Sequence, residues 1–191
     1  LSKLIVEEGI VMLKNENAMP FPSGAKISVF GKNSVNLSYG GSGSGGKNHT
    51  NNETIYDSLE LAGFEYNPIL KDFYEDNSQS GSGRSSNPSI ENAGVSTLLT
   101  GETPQASYHQ EVKNSYTNYK DAALIVITRI GGEGWDLPRA MQSGYGIDAT
   151  AHYLQLDVHE RDLIKAVAQE GFQRIVIIIN SNNPIELGFL D

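Results

Sequence analysis

Two runs of apolar, largely β-branched residues, Ala122 to Thr128 and Arg174 to Asn180, constrain this chain more than any other feature. Neither alternates with polar residues, which is the pattern of strands covered by helices on both faces of a parallel sheet. Between them lies a segment with every helix signal in place. Asp157 is an N-cap, Glu160 completes a capping box, Leu163, Ile164 and Val167 form a buried stripe, and Gly171 ends the helix. Strand, helix and strand therefore predict a βαβ unit of parallel strands with a right-handed crossover.

The first half continues the alternation. Residues 1 to 14 carry Leu1, Leu4, Ile5, Val6, Ile10 and Leu13 at helical spacing, and Pro20 and Pro22 impose a break. Lys26 to Phe30 reads as a short strand ending at Gly31. A second helix begins near Thr54, with Ile55, Leu59 and Ala62 on one face and Gly63 at its end. Phe64 to Asn67 is a further strand candidate. Residues 78 to 96 are polar and glycine-rich and are expected to form a mobile loop. Tyr108 to Lys120 is weakly patterned helix, with Tyr116 and Tyr119 expected to cover a sheet face. The predicted fold is α/β: a doubly wound, mostly parallel sheet sandwiched between helices. A chain of 191 residues, 38% of them hydrophobic, has the core for one domain over residues 1 to 191. Its opening residues already read as helix and lack an initiator Met, so an incomplete fragment of a longer polypeptide is expected.

Composition removes several classes of function. A net charge of -9 with scattered Lys and Arg offers no basic patch for a nucleic acid. The apolar runs fall far short of the roughly 20 residues of a membrane helix. Zero cysteines exclude disulfides and thiolate metal sites but leave the compartment open. The histidines, His49, His109, His152 and His159, lack metal-ligand spacing, and no G-x-S-x-G elbow occurs, so no metal and no acyl-transfer nucleophile are expected. Gly41 to Gly46 formally satisfies G-x-G-x-x-G. About ten residues separate it from the preceding strand, however, and the next helix starts late, so a flexible loop outweighs a dinucleotide site and no cofactor is expected.

The remaining candidate is Arg129-Ile130-Gly131-Gly132-Glu133-Gly134-Trp135-Asp136, directly after the first apolar run. Ligands of open α/β sheets bind outside the carboxyl ends of the strands, so a Glu between flexible glycines can be aimed into a crevice. Glu133 reads either as a catalytic acid or as part of a solvated turn. Trp135 reads either as a platform for stacking a sugar or as an apolar plug.

Four ordered stretches carry a resemblance. Glu8 to Asn15 with the proline-bearing segment to Pro22, Lys26 to Gly31, Gly40 to Gly45, and Thr128 to Asp136 resemble the α/β sandwich domain of glycoside hydrolase family 3. The last resembles that family's R-x-x-G-E-G-x-D loop, and Tyr153-Leu154 through Pro184-Ile185-Glu186 resembles the helix and strand that follow it. The similarity spans nearly the whole chain outside residues 78 to 120. It implies a β-glucosidase-like enzyme in which a separate barrel domain binds a β-linked glucoside and supplies an Asp nucleophile. It further implies that Glu133 is the acid/base; Arg129 and Asp136, which flank the hinge glycines, are expected to anchor the loop, and Trp135 is the expected substrate contact. A retaining glycosidase needs two carboxyl groups about 5 to 5.5 Å apart, so the site would be an interdomain cleft. Without the barrel, the chain is expected to be inactive. Leu137 departs from the Arg of many relatives, and residues 138 to 152 form an insertion, which puts the sugar contacts in question. The competing expectation is a non-catalytic nucleotide or carbohydrate binding module that uses the Gly/Ser loop; a scaffold that only stabilises its barrel is a third.

Overall fold

The structure, a computed structural model, describes residues 2–41, 52–85 and 98–190. Its elements in chain order are α1 (Ser2–Gly9), β1 (Lys26–Phe30), α2 (Ile55–Leu61), β2 (Glu65–Tyr66), α3 (Pro68–Glu75), α4 (Asn77–Ser80), α5 (Gln110–Ser115), β3 (Ala122–Arg129), β4 (Met141–Gln142), β5 (Ile147–Asp148), α6 (Val158–Gln169) and β6 (Ile175–Ser181). The main sheet has the order β2-β1-β3-β6, and all three of its pairings are parallel. The α/β fold read from the sequence is the fold observed. Among the described residues, no helix is long and apolar enough to cross a membrane.

The period of two along β3 sorts its side chains between two cores. Ala123, Ile125 and Ile127 face Phe30, α3, α5 and α6 in one core, and Ala122, Leu124 and Val126 face Ile27, Val29 and α2 in the other. Every residue of β3 is buried, whereas every residue of β6 is only partly so, because β6 is the outermost strand of the described sheet. Its apolar run therefore differs in burial from that of β3 despite the similar composition. The expected capping box forms on α6, Asp157 with Glu160, and a second one, which the sequence reading did not include, joins Thr54 with Asp57 on α2.

Three segments depart from the sequence reading. The opening helix stops at Gly9, and Leu4, Ile5, Ile10, Val11, Met12 and Leu13 are all exposed. So short a helix has little intrinsic stability without a surface under its stripe. α3 escapes the periodicity reading, although Asn67 as N-cap and Pro68 in the first turn are proper start signals. Of the segment expected to be a mobile loop, residues 86–96 lie outside the described residues. Residues 78–85 pack, with α4 capped by Asp76 and the buried Arg84 donating to the carbonyls of Asn36, Leu37 and Ser85. Polarity there serves a buried hydrogen-bond network instead of solvation.

Gly31 closes β1 with φ 99°, and a Cβ added to it would lie 2.4 Å from the Val126 carbonyl oxygen. Left-handed strain and a backbone clash act together, so Gly31→Ala should lower stability by at least about 2 kcal/mol, read as a drop in the urea midpoint.

Candidate active site

The chain leaves β1 toward β2 on one side and later returns to form β3 on the other, so the topological switch point lies between the carboxyl ends of β1 and β3. That is where doubly wound sheets open a crevice for ligands. The loop after β3 carries Glu133, the loop after β1 leads to Gly40 and Gly41, and the end of β6 borders both.

Arg129 fixes the base of the first loop. Its side chain is fully buried at the end of β3, and all five of its N–H donors are used. Nη1 and Nη2 donate to Glu160 Oε1 and Oε2 at 2.5 and 2.6 Å, a bidentate fork. Nε donates to the Tyr153 carbonyl, Nη1 also to that of Thr128, and Nη2 to that of Gln155. The guanidinium also lies 5.5 Å from the centre of the Tyr153 ring. Burial disfavours the cation, and Glu160 outweighs it and holds Arg129 protonated. Burial pushes the Glu160 carboxyl up, against the pull of the Arg129 charge. One residue on, the Ile130 N–H donates to the Tyr153 hydroxyl, while Leu98, Ile130, Tyr153 and Leu137 pack together beneath the loop. Leu137, the departure noted in the sequence, thus fills an apolar position.

Beyond Ile130 the backbone is held from β6. The Gly131 N–H donates to Asn182 Oδ1 at 3.0 Å, and the Arg129 carbonyl accepts from the Ser181 hydroxyl and the Asn182 N–H. A Cβ on Gly131 would come within 2.1 Å of Asn183 Oδ1, so a larger residue there would displace the Asn183 side chain. The Trp135 N–H then donates to the Gly132 carbonyl across a tight turn in which Gly134 has φ 76°. This is the pattern of a type II turn, whose third position calls for glycine. It presents Glu133 at the exposed tip, with Trp135 half-buried beside it. Asp136 is exposed and, among the described residues, takes part in none of the hydrogen bonds that hold the loop.

A second carboxyl group lies beneath the crevice. Glu102 is buried and accepts from the backbone N–H of Lys32, just past β1, and from that of Thr103. Burial pushes its pKa up to about 8, assisted by the charges of Glu160 and Asp157 and opposed by the two N–H donors. Lys32 is buried too, its ammonium donating to the Tyr74 carbonyl, Asn77 Oδ1 and Ser80 Oγ, and burial lowers its pKa. Glu102 keeps its proton in the fold where an unfolded chain has lost it. Its contribution to stability is therefore complete below the ordinary glutamate pKa and disappears as pH rises through about 8. Between about pH 6 and about pH 8 the loss should be roughly 2 kcal/mol. Thermal melting across that range should show the decline in the parent sequence and a flatter profile in Glu102→Gln.

The insertion 138–152 is a hairpin. β4 and β5 pair antiparallel, and Thr100 and Gly101 extend the pairing by donating to the carbonyls of Gln142 and Ser143. A cavity of about 180 Å³ lies between this hairpin and the start of α6, lined by Met141, Tyr145, Asp148 and His159 among others. Neither Glu133 nor Trp135 lines it. Among the described residues, no group of three or more His, Asp or Glu is placed to hold a metal ion. Apart from Gly41, the glycines of the G-x-G-x-x-G match lie outside the described residues.

Comparison with known proteins agrees with this fold. Residues 10–190 match the model of the glycosyl hydrolase family 3 C-terminal domain. The chain is 22% identical to β-glucosidase A of Butyrivibrio fibrisolvens, covering 94% of this chain and 22% of that protein. It is 26% identical to β-glucosidase 3B of Thermotoga neapolitana, whose structure in complex with glucose superposes with a TM-score of 0.71 over 97% of this chain and 25% of that one. A β-glucosidase from Paenibacillus barengoltzii, also 26% identical, matches with a TM-score of 0.72 over 99% of this chain and 19% of that one. The chain thus spans a quarter or less of the length of these relatives. It belongs to glycoside hydrolase family 3, as the C-terminal α/β domain of β-glucosidase-like proteins.

Proposed function

We propose that this domain supplies the general acid/base of a retaining β-glucosidase-like enzyme, and that Glu133 is that residue. The observation that carries the reading is the exposed tip of the turn after β3. There a single carboxylate projects at the switch-point crevice from a backbone held by Arg129, Tyr153 and Asn182. A rigid base with a short glycine-flanked tip is what a residue needs when it must reach a sugar bound on another domain.

The chemistry divides between two carboxyl groups. The nucleophile, an Asp on a barrel domain of the same polypeptide, attacks the anomeric carbon of a β-linked glucoside. Glu133 protonates the departing glycosidic oxygen, then as carboxylate takes a proton from the water that releases the glucosyl-enzyme. Closure of the cleft removes water from Glu133 and brings it near the nucleophile carboxylate, both of which raise its pKa toward that of a proton donor at neutral pH. Trp135 offers the flat face on which a sugar ring stacks. The five hydrogen bonds of Arg129 support its part as loop anchor, a support that Asp136 lacks. On this reading residues 1–191 alone hydrolyse nothing.

The test is the product formed by Glu133→Ala in the barrel-bearing polypeptide with azide present. Azide needs no general base, so an acid/base variant that accumulates glycosyl-enzyme should release β-glucosyl azide. Failure to form it, with hydrolysis unchanged, moves the proton donor elsewhere.

A further inference from the structure

We infer that Asn182 is a positioning residue for the acid loop, and that with Asn180 it clasps the loops after β1 and β3 to the end of β6. The inference rests on the reading of Glu133 as acid/base.

Asn180 lies near the end of the β6 pairing and Asn182 is the first residue after the strand ends. Asn180 reaches the loop after β1: its Oδ1 accepts from the Ser38 N–H at 2.6 Å and its Nδ2 donates to the Ser38 carbonyl at 3.0 Å. β6 does not neighbour β1, because β3 lies between them. The loop after β1 must therefore fold across the end of β3 to make these bonds, and the Thr128 hydroxyl meets Asn180 Oδ1 beneath it. Asn182 takes the other loop. Its Oδ1 accepts from the Gly131 N–H, while its Nδ2 lies 3.5 Å from where a Cβ on Gly41 would stand. One side chain thus bonds the loop after β3 and stands beside Gly41 of the loop after β1.

The consequence lies at Glu133. Between the Gly131 amide and Glu133 stands only Gly132, so a shift of that amide is passed to the turn through glycine backbone alone. Misplacing a catalytic group by about 1 Å can cost about 10²-fold in rate. Loss of Asn182 should then fall on the step in which Glu133 acts as a proton donor.

The experiment uses the barrel-bearing polypeptide and two substrates, methyl β-glucoside, whose leaving group must be protonated, and 2,4-dinitrophenyl β-glucoside, whose leaving group need not be. Asn182→Ala should lower kcat/KM for the methyl glucoside by about 10-fold or more and that for the dinitrophenyl glucoside by less than about threefold. Asn182→Asp keeps an acceptor for Gly131 and should restore the methyl glucoside to within about threefold of the parent. Asn182→Ser, polar but too short to reach Gly131, replaces the alanine variant if that does not fold. Equal losses on both substrates, no loss on either, or an Asp variant as slow as the Ala variant would overturn the inference. The underlying reading is tested apart from it by Glu133→Ala. If that variant shows no difference between the two substrates, the acid/base assignment falls whatever Asn182 does.

Discussion

In the barrel-bearing enzyme, Glu133→Ala should lower kcat/KM for methyl β-glucoside by about 10² to 10⁴-fold, the range that a positioned proton donor supplies. The loss should shrink toward parity for 2,4-dinitrophenyl β-glucoside, because a leaving group stable as an anion departs without a proton. For that substrate kcat should still fall, since removing the glucosyl group from the nucleophile also needs a base, and an accompanying fall in KM would mark accumulation of the glucosyl-enzyme. The pH profile adds an independent check: with the donor gone, the fall in rate on the alkaline side should vanish for the methyl glucoside. A uniform loss over all leaving groups would instead describe a loop that shapes the cleft without exchanging protons. Glu133→Gln separates the two accounts again, because it preserves the size and polarity of the turn tip and removes only the titratable proton.

How much of this could be read from the sequence depended on the range of the interactions involved. The capping box of α6 and the alternating core of β3 are local patterns, and both appear where periodicity and cap chemistry place them. The loop that carries Glu133 was legible because glycine spacing after an apolar run is local as well. The helix expected over residues 1 to 14 was not so simple, since the stripe is present but helix beyond Gly9 needs a surface to cover it. Residues 78–85 misled in the opposite sense: Ser80 and Arg84 look like solvated loop, and they are buried because carbonyls of residues 36 and 37 satisfy Arg84 while the Lys32 ammonium and the Tyr74 carbonyl satisfy the Ser80 hydroxyl. Asn180 read only as the end of a strand and Asn182 carried no signal, because their partners Ser38 and Gly131 come from distant segments. Glu102 gave no local signal at all. Its environment is assembled from backbone amides after β1 and from Asp157 and Glu160 at the start of α6.

Glu160 shows how a local reading can be right and incomplete, and it carries the largest expected effect on stability. Its capping-box role is met by Oε2, which accepts from the Asp157 N–H at 2.9 Å. The same carboxylate receives the Arg129 fork, joining α6 to the end of β3. Glu160→Gln keeps the shape and an acceptor for the cap but leaves the guanidinium in a buried site without its counter-charge. Breaking one side of such a pair costs about 3–5 kcal/mol. The deficit should appear in native-state hydrogen exchange as lost protection of the amides of β3 and of the first turns of α6. Arg129→Met should cost a similar amount, by stranding the carboxylate instead. The double variant Arg129→Met with Glu160→Leu decides what the pair is for. Buried ion pairs replaced by apolar groups of similar volume are often close to neutral in stability, so the double variant should be far less destabilised than the sum of the two single changes. Its activity should not recover in step, because the Tyr153 and Gln155 carbonyls that the guanidinium also holds would lose their donors and the base of the Glu133 loop would loosen. Recovered stability with depressed turnover of methyl β-glucoside would assign the pair to holding the loop; recovery of both would make it an element of packing alone.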